Sequence, residues 1–171
     1  MILKESLTYE KVLKEMFTWN TRKKTEAEAN NVAPTPKKSL DVMTKLASTL
    51  GNPHTRYRVI HVAGTNGKGS VCLKTAAALR EAGLKVGLFT SPHICCFRER
   101  IRVNDKMISE EEVVSLSKVV INALQEQNIQ ATFFEITTMI AMLYFSAQAV
   151  EYAVFEVGIG GKLDATNIVS P

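Results

Sequence analysis

The chain lacks what several broad classes of protein require. Its 171 residues hold only three cysteines, Cys72, Cys95 and Cys96, two of them adjacent and none in a C-x-x-C spacing. That excludes a disulfide framework and a zinc-ribbon pattern, and predicts free thiols in a reducing, intracellular setting. No run of five or more like charges occurs, and 21 Lys plus Arg against 17 Asp plus Glu leave a formal charge of +4. A phosphate-backbone binder needs a denser basic patch, so nucleic acid is not an expected partner. The longest uncharged apolar stretch, Ile136 to Val150, is 15 residues long and contains Thr137, Thr138, Ser146 and Gln148. A spanning helix needs about 20 apolar residues, so this stretch reads as a buried core helix, and no membrane partner is expected. The opening MILKESLTYEKV lacks the apolar core of a secretory signal. The expected residence is cytoplasmic, with mitochondrial residence left open. Nine glycines and five prolines are too few for a collagen-like or low-complexity chain.

What is present fits one globular domain: 46% apolar and 22% charged residues, at a length that lets roughly 70% of the unfolded surface be buried. Tyr9, Val12, Leu13, Met16 and Phe17 repeat at helical spacing, which predicts an amphipathic helix. Thr21 to Lys38 reads as a long polar loop holding Pro34 and Pro36. Ser39 is the expected N-cap of a second helix over Leu40, Met43, Ala47 and Leu50, stopped by Gly51. From Arg58 the pattern alternates: strand 58–63, glycine turn 64–69, helix 70–82, strand 85–90. A loop with an extended RERIRV segment follows, then a helix opened by the Ser109/Glu112 capping box, the core helix near 134–148, and strand 152–157. That order predicts an α/β fold, a parallel sheet of about three strands covered by helices, with an unpaired strand edge.

The informative segment is Val59 to Ser70, VIHVAGTNGKGS. A buried strand runs into a glycine turn carrying a lysine and then into a helix. Glycines let the backbone approach a ligand, exposed N–H groups at the turn and helix start favour an anion, and Lys68 adds a mobile positive charge. The general phosphate-loop pattern, G-x-x-x-x-G-K-[ST], is not matched: Val62 stands where the first glycine belongs, and Gly69 separates Lys68 from Ser70.

That departure is itself distinctive. A-G-T-N-G-K-G-S at 63–70 resembles the nucleotide loop of the folylpolyglutamate synthase and dihydrofolate synthase family, within the Mur-ligase-like ATP-dependent amide ligases. Val154 to Val169, VFEVGIGGKLDATNIV, is similar to the family's other signature. Thr90-Ser91-Pro92-His93, with the R-E-R-I stretch after it, and Thr132-Phe133-Phe134-Glu135 resemble two further family segments, in the family's order. The resemblance implies a phosphate-loop domain like the Mur ligase central domain, apparently truncated: a helical lead-in over 1–57, βα units over 58–171, and no C-terminal ligase domain.

The function so implied is addition of L-glutamate to dihydropteroate or a folate through an acyl phosphate, as part of folate synthesis, polyglutamylation and one-carbon metabolism. ATP and Mg²⁺ are the implied cofactors, and folate or dihydropteroate and L-glutamate the small-molecule partners. Position by position, Gly64, Thr65, Asn66, Gly67, Lys68, Gly69 and Ser70 would hold ATP. Ser91 and Glu156 would hold Mg²⁺, whose preference for hard oxygen ligands suits a hydroxyl and a carboxylate at a strand end. Thr132, Phe133, Phe134, Glu135, Leu163, Asp164 and Ala165 would contact the pterin substrate. A further family contact near Ser39 is not carried over, because Lys37-Lys38-Ser39 does not match it.

Residues alone leave other readings open. Phe133 and Phe134 serve equally well as core, His61 as a satisfied strand histidine, His54 as a surface residue, His93 as an orienter of Ser91 or a solvent-exposed residue, and Arg98, Arg100 and Arg102 as one face of a solvated strand or as contacts to an anionic substrate. Full family members continue with a D-H-x-x-x-L-G segment, a carbamylated lysine and a second domain, none of which occurs in these 171 residues. The expectation is therefore negligible ligase turnover by this chain alone. Two rival functions remain: a nucleotide-binding module without catalysis, and an unrelated phosphate-loop kinase or ATPase. The latter would hold Mg²⁺ through Ser70 rather than Ser91. Oligomeric state is not legible.

Overall fold

The computed structural model describes residues 8–29 and 40–171, with side chains for 8–19 and 40–171. Helix α1 (Tyr9–Ala29) carries the expected apolar stripe, with Val12, Met16 and Trp19 buried. It runs past its expected end: residues 21–29 are helical, not loop. The reason is composition, since TRKKTEAEA is rich in the strong helix formers Lys, Glu and Ala and holds no glycine or proline. The rest of that expected loop, and the expected cap Ser39, lie outside the described residues. Helix α2 (Asp41–Thr49) starts at Leu40 without a side-chain cap and buries Met43, Leu46 and Ala47.

Next come strand β1 (Arg58–Val62), helix α3 (Lys68–Glu81) and strand β2 (Val86–Phe89). A 3-10 turn, Phe97–Arg100, leads into the short strands β3 (Ile101–Val103) and β4 (Lys106–Met107). Helices α4 (Glu110–Glu126) and α5 (Phe133–Ala147) precede strand β5 (Tyr152–Glu156) and a final 3-10 turn, Ala165–Ile168. The Ser109/Glu112 capping box is present at α4, with Oγ accepting from Glu112 N at 3.1 Å and Oε2 from Ser109 N at 2.9 Å.

The sheet order is β1-β5-β2-β3-β4. The expected parallel sheet is its β1-β5-β2 part, where Ile60 and Leu88 both lie beside Val154. To it the RERIRV segment adds an antiparallel pair, with Phe89 opposite Ile101 and Val103 opposite Lys106, so the whole sheet is mixed. The β3–β4 turn is Asn104-Asp105, both at positive φ (46° and 67°), the geometry tight hairpins require. Among the described residues nothing pairs with the outer edge of β1.

Alternate strand residues face two different layers. Leu88 and Val154 pack with Cys72 under α3. Phe89, Ala153 and Phe155 face α5, whose Ile136, Met139, Ile140 and Phe145 are wholly buried. Each such side chain contributes about 1.5–3 kcal/mol by leaving water. Helix α5 is therefore the central layer, with α1, α2 and α4 packed around it. It sits so close to β2 that a Cβ on Gly87 would meet the Phe145 ring at 2.7 Å. No described helix is long and apolar enough to cross a membrane.

Candidate active site

The three parallel strands all end at the same edge, and the loops leaving them carry the residues singled out above. After β1 comes the glycine turn. Gly67 holds φ at 75° as the N-cap of α3, a conformation that strains any residue with a Cβ. Helix α3 starts at Lys68, two residues earlier than expected, so Lys68, Gly69 and Ser70 form its first turn. Its opening N–H groups, which no i−4 carbonyl can take, point out of the sheet edge. Gly64 to Gly67 and Ser70 are exposed. A segment that offers backbone donors and a lysine to solvent is built for an anion.

After β5, Glu156 is 5% exposed. Its Oε2 accepts one hydrogen bond, from Ser91 N at 2.9 Å. A Cβ on Gly69 would sit 3.4 Å from its Oε1 and 3.5 Å from Oε2. The glycine turn, the β2 loop and the β5 end therefore converge on one carboxylate, to which Ser91 is held through its backbone N–H. Beneath them, burial and then the Glu156 charge push the Cys72 thiol up to about 12, which keeps it protonated. The Ser91–Pro92 peptide bond is cis.

The second glycine loop is held from inside. Asp164 is 6% exposed and all its acceptor capacity is used. Oδ2 accepts from Gly158 N (3.1 Å) and Ile159 N (3.0 Å), and Oδ1 from Thr166 N (3.0 Å) and the Thr166 hydroxyl. Because that hydroxyl gives its proton to Asp164, Thr166 Oγ1 accepts at its 2.7 Å contact with His61 Nε2, and the ring carries its proton there. Burial pushes the His61 imidazole down, opposed by the Asp164 charge. This chain of bonds ties β1 to the loop beyond Glu156. Leu163 beside it is exposed, and Ala165 is buried.

At the start of α5, Thr132 and Glu135 form a second capping box. Thr132 Oγ1 accepts from Glu135 N at 3.2 Å, and Glu135 Oε2 from Thr132 N at 2.6 Å. The T-x-x-E spacing announces this as plainly as Ser109/Glu112 does. Phe134 is half-buried and packs so tightly that a Cβ on Gly158 would meet its Cζ at 2.7 Å. Phe133 stacks on Phe17 with centroids 4.1 Å apart, and the Arg100 guanidinium lies 5.5 Å over its ring.

The 97–103 segment departs from a solvated strand face. Arg100 is 8% exposed, and its Nε donates to His93 Nδ1 at 2.7 Å. Burial, then the Arg100 charge, lowers the His93 pKa, so the neutral ring carries its proton on Nε2. Glu99 faces the other way. Its carboxylate accepts from Ile94, Cys95 and Cys96 N at 2.8–2.9 Å, which draws its pKa down to about 2. His54 is half-buried rather than a surface residue.

No model of a known protein family matches the chain. Curated and solved proteins do. A dihydrofolate synthase/folylpolyglutamate synthase of Bacillus subtilis is 46% identical over 140 residues, 79% of this chain and 33% of the relative. The crystal structure of a Thermotoga maritima folylpolyglutamate synthase superposes with a TM-score of 0.82 at 41% identity, covering 95% of this chain and 36% of that one. This chain belongs to the folylpolyglutamate synthase/dihydrofolate synthase family. A complex of such a synthase with AMPPCP and folate is equally similar, with a TM-score of 0.82 at 35% identity over 96% of this chain and 38% of that one. The chain thus spans about a third of the length of the relatives it matches.

The chemistry of the edge suits an anion accompanied by a divalent cation. Among the described residues Glu156 is a buried carboxylate with a single hydrogen bond and no cationic side chain paired to it. No described cluster of three His, Cys, Asp or Glu could hold a metal alone. A cation here would take one carboxylate and one hydroxyl from the chain and the rest of its oxygens from phosphate and water, the usual manner of Mg²⁺. Of the residues expected from sequence, 64–70, Ser91 and Glu156 share this place. Thr132 and Glu135 sit at the start of α5, and Leu163 to Ala165 beside the second glycine loop. The sequence left His93 between orienting Ser91 and facing solvent, and Arg100 between a solvated strand face and contact with an anionic substrate.

Proposed function

We propose that this chain is the nucleotide-binding part of an ATP-dependent ligase that adds L-glutamate to dihydropteroate or a folate. On this reading, residues 64–70 bind the phosphates through backbone N–H groups and Lys68. Ser91 and Glu156 hold Mg²⁺, which supplies charge neutralisation as the γ-phosphate moves to the substrate carboxylate. The segments 132–135 and 163–165 shape the wall where the pterin lies. The observation that carries the reading is the meeting of Gly69, Ser91 and Glu156 at the N-terminus of α3. A phosphate-loop kinase would use Ser70 for the metal, but the buried carboxylate faces Gly69 and Ser91 instead. Residues 1–171 by themselves, a third of the relatives' length, act as a binding fragment with negligible turnover.

The test is AMPPCP titration with and without Mg²⁺. Lys68→Ala should lose nucleotide binding, Ser91→Ala and Glu156→Gln should lose the Mg²⁺ enhancement, and Ser70→Ala should keep it. If Ser70→Ala alone abolishes the enhancement, the kinase-type arrangement is correct. Phosphate release dependent on both glutamate and a pteroate or folate would refute the inactivity of the isolated chain.

A further inference from the structure

We propose that Arg100, together with His93, is the seat for the carboxylate of the pteroate- or folate-like substrate. This rests on the ligase reading and adds a residue to it. The first observation is a charge imbalance. Arg98 reaches Glu110 at 3.7 Å and Arg102 reaches Asp105 at 3.4 Å. Arg100, the most buried of the three, pairs with no described carboxylate. A guanidinium is retained out of water only when its donors are met, and an uncompensated buried charge is strongly unfavourable.

Its known contacts leave most donors over. Nε is spent on the neutral His93 ring, and one face of the guanidinium lies over Phe133. The four Nη protons have no acceptor among the described residues, yet neither Nη is sealed from solvent, since neither is among the buried polar atoms without a partner. His93 adds a donor of the same sign, because the bond to its Nδ1 leaves Nε2–H free. Two adjacent donor groups, one charged and forked, match a carboxylate.

Position selects which anion. Thr90 N donates to Arg100 O at 3.0 Å, so Arg100 stands beside the residue that precedes Ser91. The glycine turn follows β1, at the far edge of the sheet, whereas Arg100 enters β3. In the order β1-β5-β2-β3 those two are three strand spacings apart, roughly 14 Å. Glu156, at the end of β5, and Ser91, just past β2, lie between them. A triphosphate seated on the glycine turn reaches Glu156 from one side, so Arg100 serves the reactant arriving from the other. That side also carries the aromatic start of α5.

The experiment compares pteroate with its neutral carboxamide, by fluorescence titration of the purified 171-residue chain. Wild type should prefer the carboxylate by about 10–100-fold, the range of one charge-assisted bidentate contact. Arg100→Met should erase that preference while carboxamide and AMPPCP affinities stay within about twofold, and Arg100→Lys should keep part of it. Should Arg100→Met fail to fold, the wild-type preference and the Lys variant decide. Equal wild-type affinity for the two ligands, or parallel loss of both in Arg100→Met, overturns the assignment alone. Wild type that binds AMPPCP but neither pterin overturns it together with the folate reading.

Discussion

Asp164→Asn separates a residue that builds the site from one that faces ligand. Asp164 accepts four hydrogen bonds while 6% exposed: two from the Gly158–Ile159 backbone and two from Thr166. An asparagine keeps one oxygen and turns an amine towards the other pair. If the amine faces Gly158 and Ile159, two backbone donors lose their acceptor. If it faces Thr166, the hydroxyl can turn to accept from it, and one backbone donor is orphaned. A bond to a charged acceptor is worth about 1.5–3 kcal/mol and a stranded buried donor costs about 1–3 kcal/mol, so the expected loss is about 3 kcal/mol. For a chain of this length that is a fall in Tm of roughly 6–12 °C. Thermal unfolding followed by circular dichroism reads it, with AMPPCP titration alongside. Nucleotide affinity should fall too, because the loop held by Asp164 begins two residues after Glu156. A Tm within about 2 °C of wild type, with only pterin binding lost, would refute this reasoning and make Asp164 a ligand contact first.

Two other perturbations test neighbouring parts. Glu99 has its folded pKa depressed from 4.5 to about 2, so its hold on the 94–96 backbone is complete above 4.5 and is released as pH falls through 2. The amide resonances of Ile94, Cys95 and Cys96 should titrate with a midpoint near 2; a midpoint of about 4 or higher contradicts the three-donor geometry. Gly158→Ala places a methyl 2.7 Å from Phe134 Cζ and 3.1 Å from Asp164 Oδ2. Overpacking of this kind costs about 1–3 kcal/mol, measurable as a lower urea midpoint, and an unchanged midpoint would mean the ring moves freely.

The βα alternation was legible because each strand is a short β-branched run and the helices carry apolar positions at helical spacing, α4 opening on a readable capping box. The three parallel strands and all five helices follow from that. The β3–β4 pair was harder to see: RERIRV alternates, but its hairpin rests on an Asn-Asp turn at positive φ and only two residue pairs. Helix α1 outruns its polar-loop expectation because helix propensity in the 21–29 segment outweighs its polarity. Of the site, the convergence of Gly69, Ser91 and Glu156 was readable only through the motifs and their resemblance. Spacing in one dimension does not say which strand ends lie side by side. The burial of Arg100 was invisible, since its alternation with Glu99 and Arg102 imitates a solvated strand until the 3-10 turn at 97–100 rotates it inward.

Hydrogen-bond accounting distinguishes the groups that shape this edge from those left to act on something else. Thr132 and Glu135 bond each other's backbone, and Asp164 bonds only its own loop and Thr166. Their polarity is used in fixing where Phe134, Gly158 and the second glycine loop lie, and substituting them should act on stability before affinity. Glu156 and Arg100 are the reverse. Each is more than nine-tenths buried, each is charged, and each makes a single side-chain hydrogen bond, to Ser91 N and to His93 respectively. A fold does not gain stability by keeping two such charges under-bonded at one edge and out of contact with each other. The opposite signs therefore assign opposite guests: a cation at the acid, and an anion at the base two strands further along the same edge.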